Sequence, residues 1–122
     1  MNTAQSEIIL IVETKALLRN EVAEYLRGCG YHVVEAINAA EAMSVLNDRI
    51  IDILVTDLDL QDASGFELSA SAKKIQPTIK VVLTRSAERT ATAAHELCED
   101  GPLGHPYHPQ QLLDRIKRLR KS

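Results

Sequence analysis

The chain has 122 residues, a length that suits one domain with a substantial hydrophobic core. Its 14 basic and 17 acidic side chains leave a formal charge of −3, which is too small to indicate nucleic acid or an acidic membrane as a partner. No apolar run approaches the roughly 18 residues needed to cross a bilayer, and residues 1–6 lack the features of a signal peptide. We therefore expect a single domain over residues 1–122 with no membrane contact.

The two cysteines bear on the cellular setting. Cys29 and Cys98 lie far apart in the sequence and match neither a disulfide framework nor a metal-site spacing. This pattern does not indicate a disulfide, and it predicts a reducing cytoplasm as the setting.

Two strand–helix pairs are predicted in the first half of the chain. Ile8–Val12 is entirely apolar and predicts a buried strand. A helical stripe follows from Lys15 onward, formed by Leu18, Val22, Tyr25 and Leu26. A glycine-rich turn at residues 28–30 ends this helix, and Tyr31–Glu35 predicts the second strand. Asn38 and Glu41 have capping-box spacing, and the second helix has an apolar face of Ala42, Met43, Leu46 and Ile50.

The central strand is predicted from the apolar run that begins at Ile53 and reaches a carboxylate at Asp57. Branched apolar residues in an unbroken run are typical of a parallel strand that is buried on both faces. A turn ending at Gly65 follows, and a third helix is predicted from about Phe66 until Pro77. Because chemistry in open parallel sheets gathers at the carboxyl ends of strands, Asp57 lies where a site is expected.

The second half of the chain predicts two more strand–helix pairs. Ile79–Leu83 predicts a strand that ends at Thr84, and the alanine-rich stretch Ala87–Glu99 predicts a helix. Two prolines and two glycines within residues 101–106 leave room only for a very short fifth strand. Pro109 suits the first turn of a last helix, with a buried stripe of Leu112, Leu113, Ile116 and Leu119.

Five strand–helix units in strict alternation predict an α/β fold of the flavodoxin-like kind. We expect a three-layer α/β/α sandwich around a five-stranded parallel sheet of order 2-1-3-4-5. In that arrangement the strand ends bring together a polar group, whose members are Glu13, Asp57, Asp59, Thr84 and His105.

These features resemble the receiver domain of two-component response regulators over essentially the whole chain. The segments that carry the resemblance are ILIVE at the first strand, VTDLDLQDASGFEL at the central strand, PTIKVVLT at the fourth strand, and GHPYHPQQLLDRI near the end. Each motif alone is loose, but their order and spacing together indicate the family.

The resemblance implies a role for each residue at the strand ends. Asp57 matches the aspartate that is phosphorylated by a partner histidine kinase. Glu13 matches one of two acidic residues that help to hold Mg²⁺, and Asp59 matches the position whose backbone carbonyl completes that metal site. Thr84 matches the hydroxyl that binds the phosphoryl group when the switch is thrown. A hard cation with oxygen ligands suits phosphoryl transfer, because negative charge develops on the phosphoryl oxygens.

The chain also departs from the family pattern around the same site. Thr14 stands in place of the second acid, so Mg²⁺ is expected to bind weakly. His105 stands in place of a nearly obligatory lysine that pairs with phosphoryl oxygens. Arg85 replaces a small residue next to Thr84, and it either points to solvent or supplies the missing positive charge. Pro102 replaces the aromatic residue that usually moves with the switch.

Three functional hypotheses follow from these residues. The first is a single-domain, non-enzymatic receiver that accepts phosphate on Asp57 from a histidine kinase or phosphotransfer protein. Its helix 4–helix 5 surface would then engage a downstream protein, without direct contact to nucleic acid. The second is a degenerate receiver that binds partners without phosphorylation. The third, an enzyme or flavin carrier on the same fold, is disfavoured because Glu13-Thr14-Lys15 does not form a phosphate-cradling loop.

Overall fold

The computed structural model describes residues 7–100, which form four strands and four helices in strict alternation. The strands are β1 (Ile8–Val12), β2 (His32–Ala36), β3 (Ile53–Asp57) and β4 (Lys80–Thr84). The helices are α1 (Ala16–Gly28), α2 (Ala39–Asp48), α3 (Gly65–Ile75) and α4 (Ala87–Asp100). Within this range, no helix has both the length and the apolar character that crossing a bilayer requires.

The four strands form one parallel sheet of order β2-β1-β3-β4. This order confirms the predicted fold class and the first four positions of the predicted sheet. The predicted fifth strand, the last helix and His105 lie outside the described residues. β1 and β3 are central and are buried on both faces, as their unbroken apolar runs predict.

Helices cover both faces of the sheet and create two hydrophobic clusters. Ile9 and Ile11 of β1 face a cluster that includes residues of α1 and α4. Leu10 and Val12 point to the opposite face, where they pack with residues of α2 and α3. Side chains alternate between the faces of a strand, so each central strand contributes to both clusters. The result is the expected three-layer sandwich, with α4 in the same layer as α1.

Small side chains allow α4 to pack closely on the α1 side of the domain. Its buried residues include Ala91 and Ala94, followed by Leu97 and Cys98. The Tyr31 hydroxyl donates a 2.6 Å hydrogen bond to the Leu97 carbonyl and fixes the helix against the start of β2. The alanine-rich composition of this segment therefore reflects close helix packing, a feature that hydrophobic periodicity alone does not reveal.

The expectation that the two cysteines do not form a disulfide is wrong. Cys29 and Cys98 form a disulfide between the end of α1 and the last turns of α4, with their Cα atoms 5.5 Å apart. Both residues are fully buried. The sequence separation of 69 residues was misleading, because α4 folds back onto α1. Cysteine spacing therefore no longer supports the prediction of a reducing compartment.

The helix caps agree only in part with the predictions. Asn38 accepts from the Glu41 backbone N–H, as expected, but the Glu41 side chain accepts from the N–H of Ile37, outside the helix. Ile50, which we predicted on the buried face of α2, lies beyond the end of that helix and is 76% exposed. The reason is that α2 ends at Asp48, before its apolar stripe could continue.

Gln76 closes the open end of α2 from a distant part of the chain. Its side-chain amide donates to the carbonyls of Leu46 and Arg49, both at 2.9 Å, and accepts from the Ile51 N–H at 2.8 Å. The last carbonyls of a helix have no partner within the helix. One side chain therefore satisfies the end of α2 and the start of the turn into β3.

Candidate functional site

The sheet register brings three of the predicted site residues to neighbouring positions. Asp57 is paired with Thr84 across β3 and β4. Val12 is paired with Thr56, so Glu13, the next residue after β1, lies beside Asp57. Adjacent strands are about 4.8 Å apart. Glu13, Asp57 and Thr84 thus lie side by side at one edge of the sheet.

The Asp57 carboxylate is held at the end of β3. Its Oδ1 accepts a hydrogen bond from the Asp59 backbone N–H at 3.1 Å, and its side chain is half-buried. The ladder continues one step further, because the Leu58 N–H donates to the Thr84 carbonyl at 2.9 Å. β3 and β4 are therefore fixed together at the point where their polar side chains emerge.

Gly65 allows α3 to begin directly against the end of β3. A Cβ atom at this position would collide with the Asp57 carbonyl oxygen and would lie 2.9 Å from the Leu58 Cα. Ser64 and Glu67 then start the helix with a full capping box, at 3.0 and 2.9 Å. The glycine at the end of the central turn is thus required by close backbone approach to Asp57.

Glu13 is a buried carboxylate, with only 4% of its surface exposed. Burial raises its pKa above the ordinary value of 4.5, because the charged form loses its water. A 3.0 Å hydrogen bond from the Lys15 N–H to Oε2 opposes this rise, while the negative charge of Asp57 adds to it. The edge of the sheet therefore carries two acidic groups that repel each other.

The Thr84 hydroxyl faces the interior. It lies 3.5 Å from the Thr56 carbonyl and 3.0 Å from the Thr90 hydroxyl, and Thr84 is only 4% exposed. No hydrogen bond joins this hydroxyl to the Asp57 carboxylate, both of which lie in the described range. The residue is adjacent to Asp57 in register, but its polar atom is engaged elsewhere.

The other predicted site residues that the structure describes do not contact Asp57 through hydrogen bonds of their side chains. The Thr14 hydroxyl donates to the Ile37 carbonyl at 3.3 Å. Arg85 is exposed, and its side chain makes no ion pair with any of residues 7–100. Asp59 is also exposed. Across the described part of the chain, no three His, Cys, Asp or Glu side chains cluster closely enough to enclose a metal ion.

Sequence reasoning missed three residues that shape the site. Arg19 donates to the Glu13 carbonyl at 2.9 Å and pairs with Glu35 at 3.1 Å, so it fixes the end of β1. Asp62 accepts from the first N–H groups of α2 and fixes the turn after β3. Thr90 contacts the Thr84 hydroxyl. No local sequence pattern marks these residues, because their partners depend on the tertiary fold.

A comparison with known protein families shows which family this chain matches. The family model for the response regulator receiver domain matches residues 9–117. The chain belongs to the response regulator receiver family. This confirms the family that the sequence motifs indicated, and it identifies the domain as a signalling module of two-component systems.

Curated relatives of this receiver domain include proteins of two lengths. The phosphate regulon transcriptional regulatory protein PhoB of Pseudomonas aeruginosa is 30% identical over 91% of this chain, but the chain spans only 50% of its length. The receiver protein CpdR of Brucella abortus is 28% identical over 91% of this chain and 94% of its own length. The chain therefore spans about half the length of the transcriptional regulators it matches.

Solved structures show the same fold. A CheY-like receiver domain protein from Methanospirillum hungatei superposes with a TM-score of 0.65 at 24% identity, covering 96% of this chain and 95% of its own. The complex of histidine kinase ThkA with response regulator TrrA gives 0.62 at 25% identity, over 66% of this chain and 69% of the other. The BeF3-activated DrrB receiver domain gives 0.62 at 22% identity, over 97% and 100%.

Proposed function

We propose that this chain is a phosphoacceptor receiver in which Asp57 takes a phosphoryl group from a histidine kinase or a phosphotransfer protein. The observation that carries the proposal is the strand register, which aligns Glu13, Asp57 and Thr84 along the carboxyl edge of the sheet. Ligand sites of open parallel sheets form at this edge.

The arrangement of Asp57 suits nucleophilic attack on phosphorus. The Oδ1 atom of Asp57 accepts a hydrogen bond from the Asp59 N–H, so Oδ2 is the oxygen that attacks phosphorus. The new bond joins Oδ2 to phosphorus, while the bond from phosphorus to the donor's imidazole nitrogen breaks and its electron pair returns to the imidazole. Charge spreads over the three other phosphoryl oxygens during the transfer. The Thr84 hydroxyl, next in register, can donate a hydrogen bond to one of them.

The acidic edge also fits a divalent cation. The negative charges of Glu13 and Asp57 repel each other, and burial further destabilises the charged form of Glu13. Oxygen ligands of this kind are preferred by Mg²⁺, which would neutralise charge on the phosphoryl oxygens. Glu13 and Asp57 would hold the ion through side chains, and Asp59 through its backbone carbonyl. With Thr14 contributing no charge, we propose that binding is weak.

The proposed partners follow from the same site. The kinase or phosphotransfer protein would dock at the carboxyl edge of the sheet. A downstream protein would bind the exposed side of α4 together with the last helix that the sequence predicts, and we propose no direct contact with nucleic acid or a membrane. His105, in the lysine position, would donate to a phosphoryl oxygen, although it lies outside the described residues. We propose that this domain works in the cytoplasm.

A second candidate is a receiver that works without phosphorylation. The Thr14 hydroxyl supports it, because that group bonds to the Ile37 carbonyl and supplies no ligand charge. A neutral residue at this position weakens the cation site on which phosphoryl transfer depends. In this case the domain would bind partners in one fixed state.

Intact mass separates the two candidates. The protein is incubated with acetyl phosphate and Mg²⁺, and Asp57→Asn serves as the control. One added phosphoryl mass in the wild type, absent from the variant, supports the phosphoacceptor. An addition that persists in Asp57→Asn would exclude Asp57 as the acceptor. No addition with any donor or kinase would favour the phosphorylation-independent receiver.

A further inference from the structure

A pair of buried threonine hydroxyls connects the acidic edge of the sheet to the first turns of α4. Thr84 and Thr90 are 4% and 3% exposed, and their Oγ1 atoms are 3.0 Å apart. Thr84 is the register partner of Asp57, whereas Thr90 lies on α4. The contact therefore joins the proposed phosphorylation site to the helix that follows it.

We propose that Thr90 is a positioning residue that holds the Thr84 hydroxyl inward until Asp57 carries a phosphoryl group. This inference rests on the proposed function. Inside the domain, the Thr84 hydroxyl accepts a hydrogen bond from the Thr90 hydroxyl at 3.0 Å and donates its one proton to the more distant Thr56 carbonyl, at 3.5 Å. To reach a phosphoryl oxygen, Thr84 must give up its contact with Thr90.

Thr90 itself loses little when Thr84 turns away. Its Oγ1 also lies 3.0 Å from the Ser86 carbonyl, one turn back in the chain, which is the usual internal partner of a helical threonine. After the change, the Thr90 hydroxyl remains bonded to Ser86. The cost of the movement is thus a single buried hydrogen bond, small enough for a phosphoryl group to overcome.

Removing the Thr90 hydroxyl should therefore favour the activated state. Thr90→Val keeps the shape of the side chain, and the Ser86 carbonyl keeps its backbone bond from the Thr90 N–H at 3.0 Å. Thr84 then has only its long contact with Thr56 to lose. We expect about fivefold tighter binding of a phosphoryl mimic, which corresponds to about 1 kcal/mol at 1.4 kcal/mol per tenfold.

The probe is beryllofluoride in the presence of Mg²⁺, with affinity measured by ¹⁹F NMR titration. Thr92→Val is the matched control, because Thr92 makes the same one-turn bond to the Glu88 carbonyl at 3.0 Å but is exposed and makes no hydrogen bond to Thr84. We expect this control to bind as the wild type does. Thr90→Ser retains the hydroxyl and should restore wild-type affinity.

A double-substitution cycle distinguishes positioning from a general structural effect. In a Thr84→Val background, Thr90→Val should no longer improve beryllofluoride binding, because there is no hydroxyl to release. The same cycle is measured without ligand by urea unfolding. Each single substitution should lower the midpoint, and the double substitution should lower it by less than the sum.

The outcomes separate this inference from the proposed function. If the wild type binds beryllofluoride but Thr90→Val gives no gain, or gives the same gain without Thr84, the role of Thr90 is overturned and the phosphoacceptor stands. If the wild type does not bind at all, the phosphoacceptor fails and the switching role of Thr90 falls with it. Additive urea midpoints would show that the two hydroxyls do not interact.

Discussion

Replacing Glu13 by glutamine should stabilise the domain while weakening the proposed cation site. Glutamine has nearly the same shape as glutamate but carries no charge. Glu13 is buried, and its pKa is raised by that burial and by the neighbouring Asp57. At neutral pH the charged Glu13 side chain therefore lowers the free energy of unfolding of the wild type.

The size of the effect follows from the strand spacing. Two unit charges about 4.8 Å apart at an effective dielectric constant of about 20 repel each other by about 3 kcal/mol. The nearby charges of Lys15 and Arg19 reduce this repulsion, and glutamine accepts the Lys15 N–H bond less strongly than a carboxylate does. We expect Glu13→Gln to raise the unfolding free energy at pH 7 by about 1 kcal/mol.

Urea unfolding at two pH values tests this reasoning. A raised pKa in the folded state means that the native protein takes up a proton on Glu13 before the unfolded chain does. The wild type therefore gains stability relative to Glu13→Gln as pH falls through the raised value, and the difference disappears below the ordinary value of 4.5. Glu96→Gln, an exposed change on α4, is the control and should have little effect.

Mg²⁺ supplies the second half of the test. At ten times its dissociation constant, a ligand that binds only the folded state adds about 1.4 kcal/mol. Wild-type protein should gain this amount, and Glu13→Gln should gain much less. A variant that is less stable than wild type at pH 7 without Mg²⁺, or an advantage that persists unchanged at low pH, would refute the account of Glu13.

Four further outcomes are expected. Thr14→Asp should tighten Mg²⁺ binding in titration calorimetry by adding a ligand charge, and equal affinities would mean that another oxygen already fills that position. Gln76→Ala should lower the unfolding free energy in urea by about 2 kcal/mol through three lost hydrogen bonds. Two helix N–H bonds lower the pKa of Asp62 below 3.8, so Asp62→Asn should destabilise the domain at neutral pH, with the difference lost as pH falls through that lowered pKa. Under denaturing conditions, alkylation should label Cys29 and Cys98 only after reduction, and labelling without reduction would contradict the disulfide.

The strands and most helices could be predicted because their signals are local. The unbroken apolar runs of β1 and β3 predict burial on both faces, and the carboxylate at the end of β3 then marks the edge where a site forms. The parallel order follows from strict alternation of strands and helices. For the same reason, Asp57, Glu13 and Thr84 could be placed at one edge before their distances were known.

The failures concern contacts between residues that are distant in the sequence. No local pattern reveals that Cys98 returns to Cys29, because that pairing depends on which layer α4 joins. The length of α2 was overestimated for a similar reason. Its end is fixed by the side chain of Gln76, 27 residues beyond Arg49, and the apolar character of Ile50 carries no information about that cap.

The two ends of α4 are held in different ways, and this difference decides what a signal at Asp57 can move. Near its start, a hydrogen bond between Thr90 and Thr84 is the contact with the site, and a bond of this kind contributes about 1 kcal/mol. Near its end, a covalent bond attaches Cys98 to α1. If Thr84 turns towards a phosphoryl group, the first contact is lost while the second is unaffected. The response predicted for the helix 4 surface should therefore concentrate at the first turns of α4, with the last turns fixed against α1.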